Sequence, residues 1–329
     1  MAANPKLPVE PSSCLEPFHV YHAEAHVLSG SLKHPIDQPI PHQALVVLQK
    51  TRVDGHIAQS VEGTTLEGLI SFKAGHSRAS GIKIAKKDLW GKDHSGWVTL
   101  STSVIEGLNV FEVITADRVV AQVSTEHAEN KGKDPDHVPK VTFLGTRFEN
   151  LRVGGYPVQL ELDFGICGNK PDRDQPYLKD RGFLDRVQRQ LEGIAGAKGL
   201  PESLEQAYDS KIAYIDDLRK RANGRAKGER NGYSKLQCSL VKSIGPIPIP
   251  GVRTFGNIIF IPDFGTVSLA EVEVGIEAGD DGSSEKSGAG SAPSNSNYFT
   301  LDMLNMHLGC IGGGKLKIVS SKSNGDTKP

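Results

Sequence analysis

Residues 18–32 read FHVYHAEAHVLSGSL, and their apolar and polar positions alternate. Tyr21, Ala23, Ala25 and Val27 fall on one side; His22, Glu24 and His26 fall on the other. A period of two predicts a half-buried strand with the three polar side chains toward water. His19 shares the side of Tyr21. The run QALVVLQKTR (43–52) predicts a buried strand, and TTLEGLISFKAG and GIKIAKK predict further strands punctuated by glycine. Residues 96–127 are the densest β-branched stretch, with turns expected at Glu106-Gly107 and Ala116-Asp117. Over 137–165, Gly154-Gly155 predicts a hairpin. Beyond it Val158, Leu160, Leu162 and Phe164 alternate with Gln159, Glu161 and Asp163.

The period changes at 177–222. Phe183, Leu184, Val187, Leu191 and Ile194 recur at helical spacing, as do Leu204, Tyr208, Ile212, Ile215 and Leu218. Pro201 stands where a first helical turn accepts it, so the pattern predicts a helical hairpin. Strand signals return at 239–277, with a turn at Pro262–Gly265, and again at 298–321.

The expected fold is mainly β: an antiparallel β-sandwich or flattened barrel with an inserted helical hairpin. Residues 18–321 form a single β-rich domain, with the helical insertion at 177–222. Pro5, Pro8, Pro11 and Pro17 make 1–17 an extended arm. Residues 278–297 are a Gly/Ser-rich flexible loop, and 322–329 are a polar tail. Leu160, Leu162, Val113, Val119, Ile259 and Val267 are expected in the core.

Lys and Arg number 38 against 39 Asp and Glu, a net charge of −1, so no nucleic-acid partner is expected. Cys14, Cys167, Cys238 and Cys310 lie too far apart for a C-x-x-C motif. Buried free thiols in a reducing compartment are the simpler reading. The N-terminus shows no secretory signal and no stretch is long enough to span a bilayer, so no transmembrane segment is expected. The default location is cytoplasmic, or extracellular by a signal-independent route.

Chemistry is sparse. His22, Glu24 and His26 are the candidate metal ligands on one strand face, but a third convergent partner cannot be named, and a solvated strand face is the favoured reading. Asn169, Asp172 and Asp174 place oxygen ligands together in GNKPDRDQP (168–176), a calcium-like grouping without EF-hand spacing. No cofactor is expected otherwise. GCIGGGK (309–315) mimics a phosphate loop, yet Leu316 replaces the needed hydroxyl and no helix follows. The two DFG triplets, at 163–165 and 263–265, lack the rest of a kinase and read as turns. No catalytic triad is spelled out, so no catalytic residue is expected. Trp90 and Trp97 are candidate ligand-binding residues, an aromatic platform for sugar, with a core or interface role as the alternative.

The phrases HAEAHVLSG, IEGLNVFEVITADRVVAQVSTEH, TFLGTRFENLRVGGYPVQLELD, PYLKDRGFLDRVQRQ and IPDFGTVSLAEV resemble a family of uncharacterised β-rich bacterial proteins, over about 19–310. The resemblance implies one continuous β architecture with a helical insertion and a bacterial source. It carries no activity, cofactor or catalytic residue. The function expected first is a structural, self-associating protein that is its own partner, a homo-oligomer such as a tube or filament. The alternatives are a binding module for carbohydrate or a surface ligand, and third a metal-dependent enzyme using His22 and His26. A non-enzyme is favoured.

Overall fold

The computed structural model describes residues 18–34, 37–85, 95–129, 138–171, 175–222, 234–277, 296–309 and 313–328. The proline-rich arm, residues 278–295 of the Gly/Ser-rich loop, Trp90, Asp172, Asp174, Cys14 and Cys310 lie outside them.

The chain opens with β1 (Phe18–Leu32), β2 (Gln38–Gln43), β3 (Val46–Thr51), β4 (Gly55–Leu66), β5 (Ile70–Ile84), β6 (Gly96–Val110) and β7 (Ile114–Ala128). Short strands follow: β8 (Lys140–Thr142), β9 (Arg147–Glu149), β10 (Arg152–Val153), β11 (Tyr156–Pro157) and β12 (Leu160–Leu162). After helices α1 (Arg181–Ala195) and α2 (Glu202–Ala222) come β13 (Ser234–Ser239), β14 (Val241–Ile244), β15 (Arg253–Phe255) and β16 (Ile258–Ile261). The last three strands are β17 (Gly265–Glu277), β18 (Ser296–Leu308) and β19 (Gly314–Lys328).

The first sheet runs β15-β16-β17-β18-β19-β1-β2, with β13 beside β17 and β3 beside β1. The second runs β11-β10-β7-β6-β5-β4, with β8 and β9 beside β7, and β12 pairs with β14 in a separate ribbon. The long strands pair antiparallel. β1 packs on β5 and β6, and β19 on β6 and β7, so the sheets form an open sandwich and not a closed barrel.

Small residues set the distance between the sheets. Ala23, Ala25 and Ala79 are fully buried there. Gly81 is a glycine because a methyl group would collide with the Tyr21 ring. Hydroxyls then tie one sheet to the other: Ser101 Oγ donates to the Glu24 carbonyl at 2.7 Å, and Ser103 Oγ to that of His26 at 2.8 Å. Val119, Ile259 and Val267 are buried as expected, whereas Val113, Leu160 and Leu162 pack against the core from its rim.

The helical hairpin forms where its periodicity predicts. Asp180 caps α1, its carboxylate accepting from the Phe183 N–H at 2.6 Å, and α2 starts directly after Pro201. Phe183, Leu184, Val187, Leu191 and Ile194 are all buried. Gln190 fastens the hairpin to the first sheet: its side chain accepts from the Ser239 N–H at 2.8 Å and donates to the Ser239 carbonyl at 2.9 Å.

Three expectations need correction. Glu106-Gly107 and Ala116-Asp117 lie inside β6 and β7. The turn is at Phe111-Glu112, both at positive φ (54° and 58°) without the usual glycine or asparagine. Residues 322–328 are no tail: they complete β19, pairing with Phe18–Glu24, and Ser323, Asn324 and Thr327 are buried. The run after Gly154-Gly155 is not one strand. β10 and β11 close the expected hairpin, then the chain leaves to pair β12 with β14.

A fourth departure crosses the first sheet. Val27, Val319, Met303 and Ala270 stand side by side on β1, β19, β18 and β17, flanked by Leu28, Ile318, Leu304 and Leu269. All eight are fully buried, so two consecutive residues face inward in each strand. In β17 and β19 the reversal coincides with positive φ at Ala270 (46°) and Val319 (58°). Register is unchanged on either side because all four strands reverse at the same level. Alternation therefore changes phase in mid-strand, as at a β-bulge.

Candidate functional site

The early histidines keep their predicted alternation up to that reversal. His19, Tyr21, Ala23 and Ala25 face inward, while His22 and Glu24 are half-buried on the outer face. His26 was expected in water, yet it is only 6% exposed. The reversal at Val27 brings Ser29 to the same outer face, and its hydroxyl sits 3.0 Å from His26 Nε2. His42 of β2 stands edge-on, ring centroids 4.4 Å apart. Burial pushes the His26 pKa down to about 4; the charge of His42 adds to this, and that of Asp302 partly opposes it. Further along the same face Lys317 pairs with Asp302 at 2.7 Å, Ser320 Oγ donates to Asp302 at 2.6 Å, and Asn305 donates to Glu271 at 2.9 Å. This is a polar network along the phase reversal, with each charge held by a neighbour.

A second histidine cluster lies at the other end of β1. His19 stacks on Trp97 (5.5 Å, 14°), meets Tyr21 edge-on at 4.9 Å, and lies 4.6 Å from the ring of His127. His19 Nδ1 is 3.1 Å from Thr327 Oγ1. Gly325 makes room: a methyl group there would collide with His19 and stand 3.2 Å from His127 Cε1. His127 reaches the cluster from β7, and no local sequence signal links it to His19. Trp97 is 4% exposed and covered by His19, with Lys83 Nζ 5.3 Å from its ring centre, so it offers no open face to a sugar. It is a core aromatic.

No three His, Cys, Asp or Glu side chains converge as metal ligands among the described residues. His22, Glu24 and His26 share a strand face, and among the described residues no neighbouring strand brings a further ligand to them. Asp172 and Asp174 lie outside the described residues; Asn169 is exposed. Cys167 and Cys238 are free and buried, with burial raising both thiols, Cys167 to about 12. Thiols so held keep their proton and are poor nucleophiles. A half-open groove of about 560 Å³ beside β9 and β12 is lined by Arg147, Phe148, Pro157, Leu160 and Phe164 among others. Its one displaced carboxyl, Glu161, is held low by its hydrogen bond to exposed Lys242.

The feature without a local structural explanation is β4. It is 12 residues long, GHIAQSVEGTTL, and pairs along one edge with β5. Among the described residues no strand pairs with its other edge. Both of its faces are open: His56, Ala58, Ser60 and Glu62 are exposed on one side, Ile57 and Gln59 on the other. β3 of the first sheet approaches β4, and Val61 and Leu66 of β4 are half-buried against the core. The turn Glu67-Gly68, with φ of 50° and 70°, and the Leu69 N–H to Leu66 carbonyl bond at 2.9 Å, hold β4 against β5. An edge of this length is usually broken by proline, lysine or a bulge. β4 has no proline, lysine or arginine, and Glu62 is its only acidic residue. Nothing in the strand's own pattern marks it as an edge, since that follows from topology.

A family model described as a domain of unknown function (DUF8256) matches residues 19–275, and the chain belongs to this family. The match ends within β17, so β18 and β19 lie beyond it. No curated protein and no solved structure matches the chain.

Proposed function

We propose that this protein is a structural, self-associating subunit that forms a homo-oligomer through its sheet edges. The observation that carries the reading is β4: a long, almost uncharged strand with one edge unpaired among the described residues and both faces exposed. Backbone groups on such an edge gain from pairing with another strand, and a second copy of the chain carries one of the same length. The other candidate chemistries draw less support. The sugar platform loses Trp97 to the core, and the free thiols hold their protons. A tube or filament requires a second joint on the same subunit, for which the short edge strand β15 and the margin at β2 are available.

Size-exclusion chromatography with light scattering, run over a wide concentration range, tests self-association. A multiple of the subunit mass is expected. A monomer at every concentration overturns the proposal. Negative-stain microscopy of the associated fraction separates closed oligomers from filaments.

A further inference from the structure

We infer that the joint is β4 paired antiparallel with β4 of a second copy, about a two-fold axis at Val61. The inference rests on the self-association proposed above and names its surface and register.

Two identical strands related by a two-fold axis keep each side chain on its own face. The axis must therefore pass where one residue faces its own copy. Two registers use nearly the whole of Gly55–Leu66, one centred on Ser60 and one on Val61. Centring on Ser60 sets Ile57 opposite Gly63 and Glu62 opposite Ala58, which wastes both side chains. Centring on Val61 sets Val61 opposite Val61 and Ile57 opposite Thr65, β-branched pairs that favour a sheet. On the other face it sets Ser60 opposite Glu62, a hydroxyl opposite a carboxylate. The strand's only acidic residue thus meets a hydrogen-bond donor and never its own copy. Val61 is already anchored: it packs over Gly75 of β5, where a methyl group would stand 2.9 Å from Val61 Cγ1. The result is one continuous sheet through both subunits.

The pairing of Ser60 with Glu62 makes the register testable by charge. Ser60→Glu sets like charges opposite each other twice per joint, and association should weaken about tenfold. Ser60→Glu/Glu62→Lys restores opposite charges at the same two positions and should return association to the wild-type level or better. Both positions are exposed, and the one contact Ser60→Glu changes within the subunit is that of the Ser60 hydroxyl with His76 Nδ1 on β5 (3.0 Å), itself exposed, so thermal unfolding of each variant should stay close to the wild type and confirms folding. Sedimentation velocity reads the association. If the wild type is a monomer throughout, self-association itself fails, and this joint with it. If the wild type associates and Ser60→Glu leaves association unchanged, self-association stands and β4 is not the joint. If Ser60→Glu weakens it and the charge reversal does not restore it, the Val61 register is wrong.

Discussion

His26 should make this fold acid-sensitive well above the carboxylate range. Its pKa is about 4 in the folded chain against the usual 6.5. A histidine so depressed binds its proton more readily when unfolded, so stability falls as pH falls. The contribution is fully present above about pH 6.5 and is lost progressively down to about 4. The gap between those values is worth about 3 kcal/mol, with roughly 1.4 kcal/mol already gone near pH 5.5. Three charged or titratable groups act on this imidazole: His42 on β2 and Lys317 on β19 disfavour its charge, and Asp302 on β18 favours it. The perturbation is His26→Gln, which keeps a polar side chain and removes the titration. Urea unfolding of both proteins between pH 7.5 and 4.5 gives two stability curves. Their difference should shift steadily in the variant's favour as pH falls from 6.5. A difference that stays flat across that range refutes the burial argument for His26.

Three further outcomes follow from packing. Gly325→Ala forces a methyl group against His19 and His127 and should cost about 1–3 kcal/mol in urea unfolding, as overpacking does. A chain ending at residue 321 removes the partners of Phe18–Glu24 on β1; it should show a clearly lowered melting temperature, where loss of a mere tail would leave it unchanged. Asp180→Ala removes the cap on α1 and should cost about 1 kcal/mol, seen as a matching drop in the urea midpoint.

Local signals were readable and long-range ones were not. The helical hairpin shows in sequence because Phe183, Val187, Leu191 and Ile194 carry their own period, and Pro201 marks the start of its second helix. The glycine hairpin at 154–155 and the turn at 262–265 show for the same reason. The turn at Phe111-Glu112 does not, because ordinary residues there adopt positive φ. The phase reversal at Val27, Val319, Met303 and Ala270 is equally silent; it brings Ser29 beside His26, and Ser29 and His42 together cover an imidazole that the local pattern leaves in water. Ser323 and Thr327 read as tail because they are polar. They are buried because hydroxyls suit the narrow space between the sheets, as where Ser323 Oγ lies 2.8 Å from Thr125 Oγ1. The contacts of His19 with His127, and the open edge of β4, depend on which strands become neighbours. That is decided by the whole chain, far beyond any local window.

The most direct measurement is sedimentation of the unmodified protein from submicromolar to high micromolar concentration. The account requires the weight-average mass to rise toward a multiple of the subunit mass within that range. A single species of subunit mass at every concentration would contradict it.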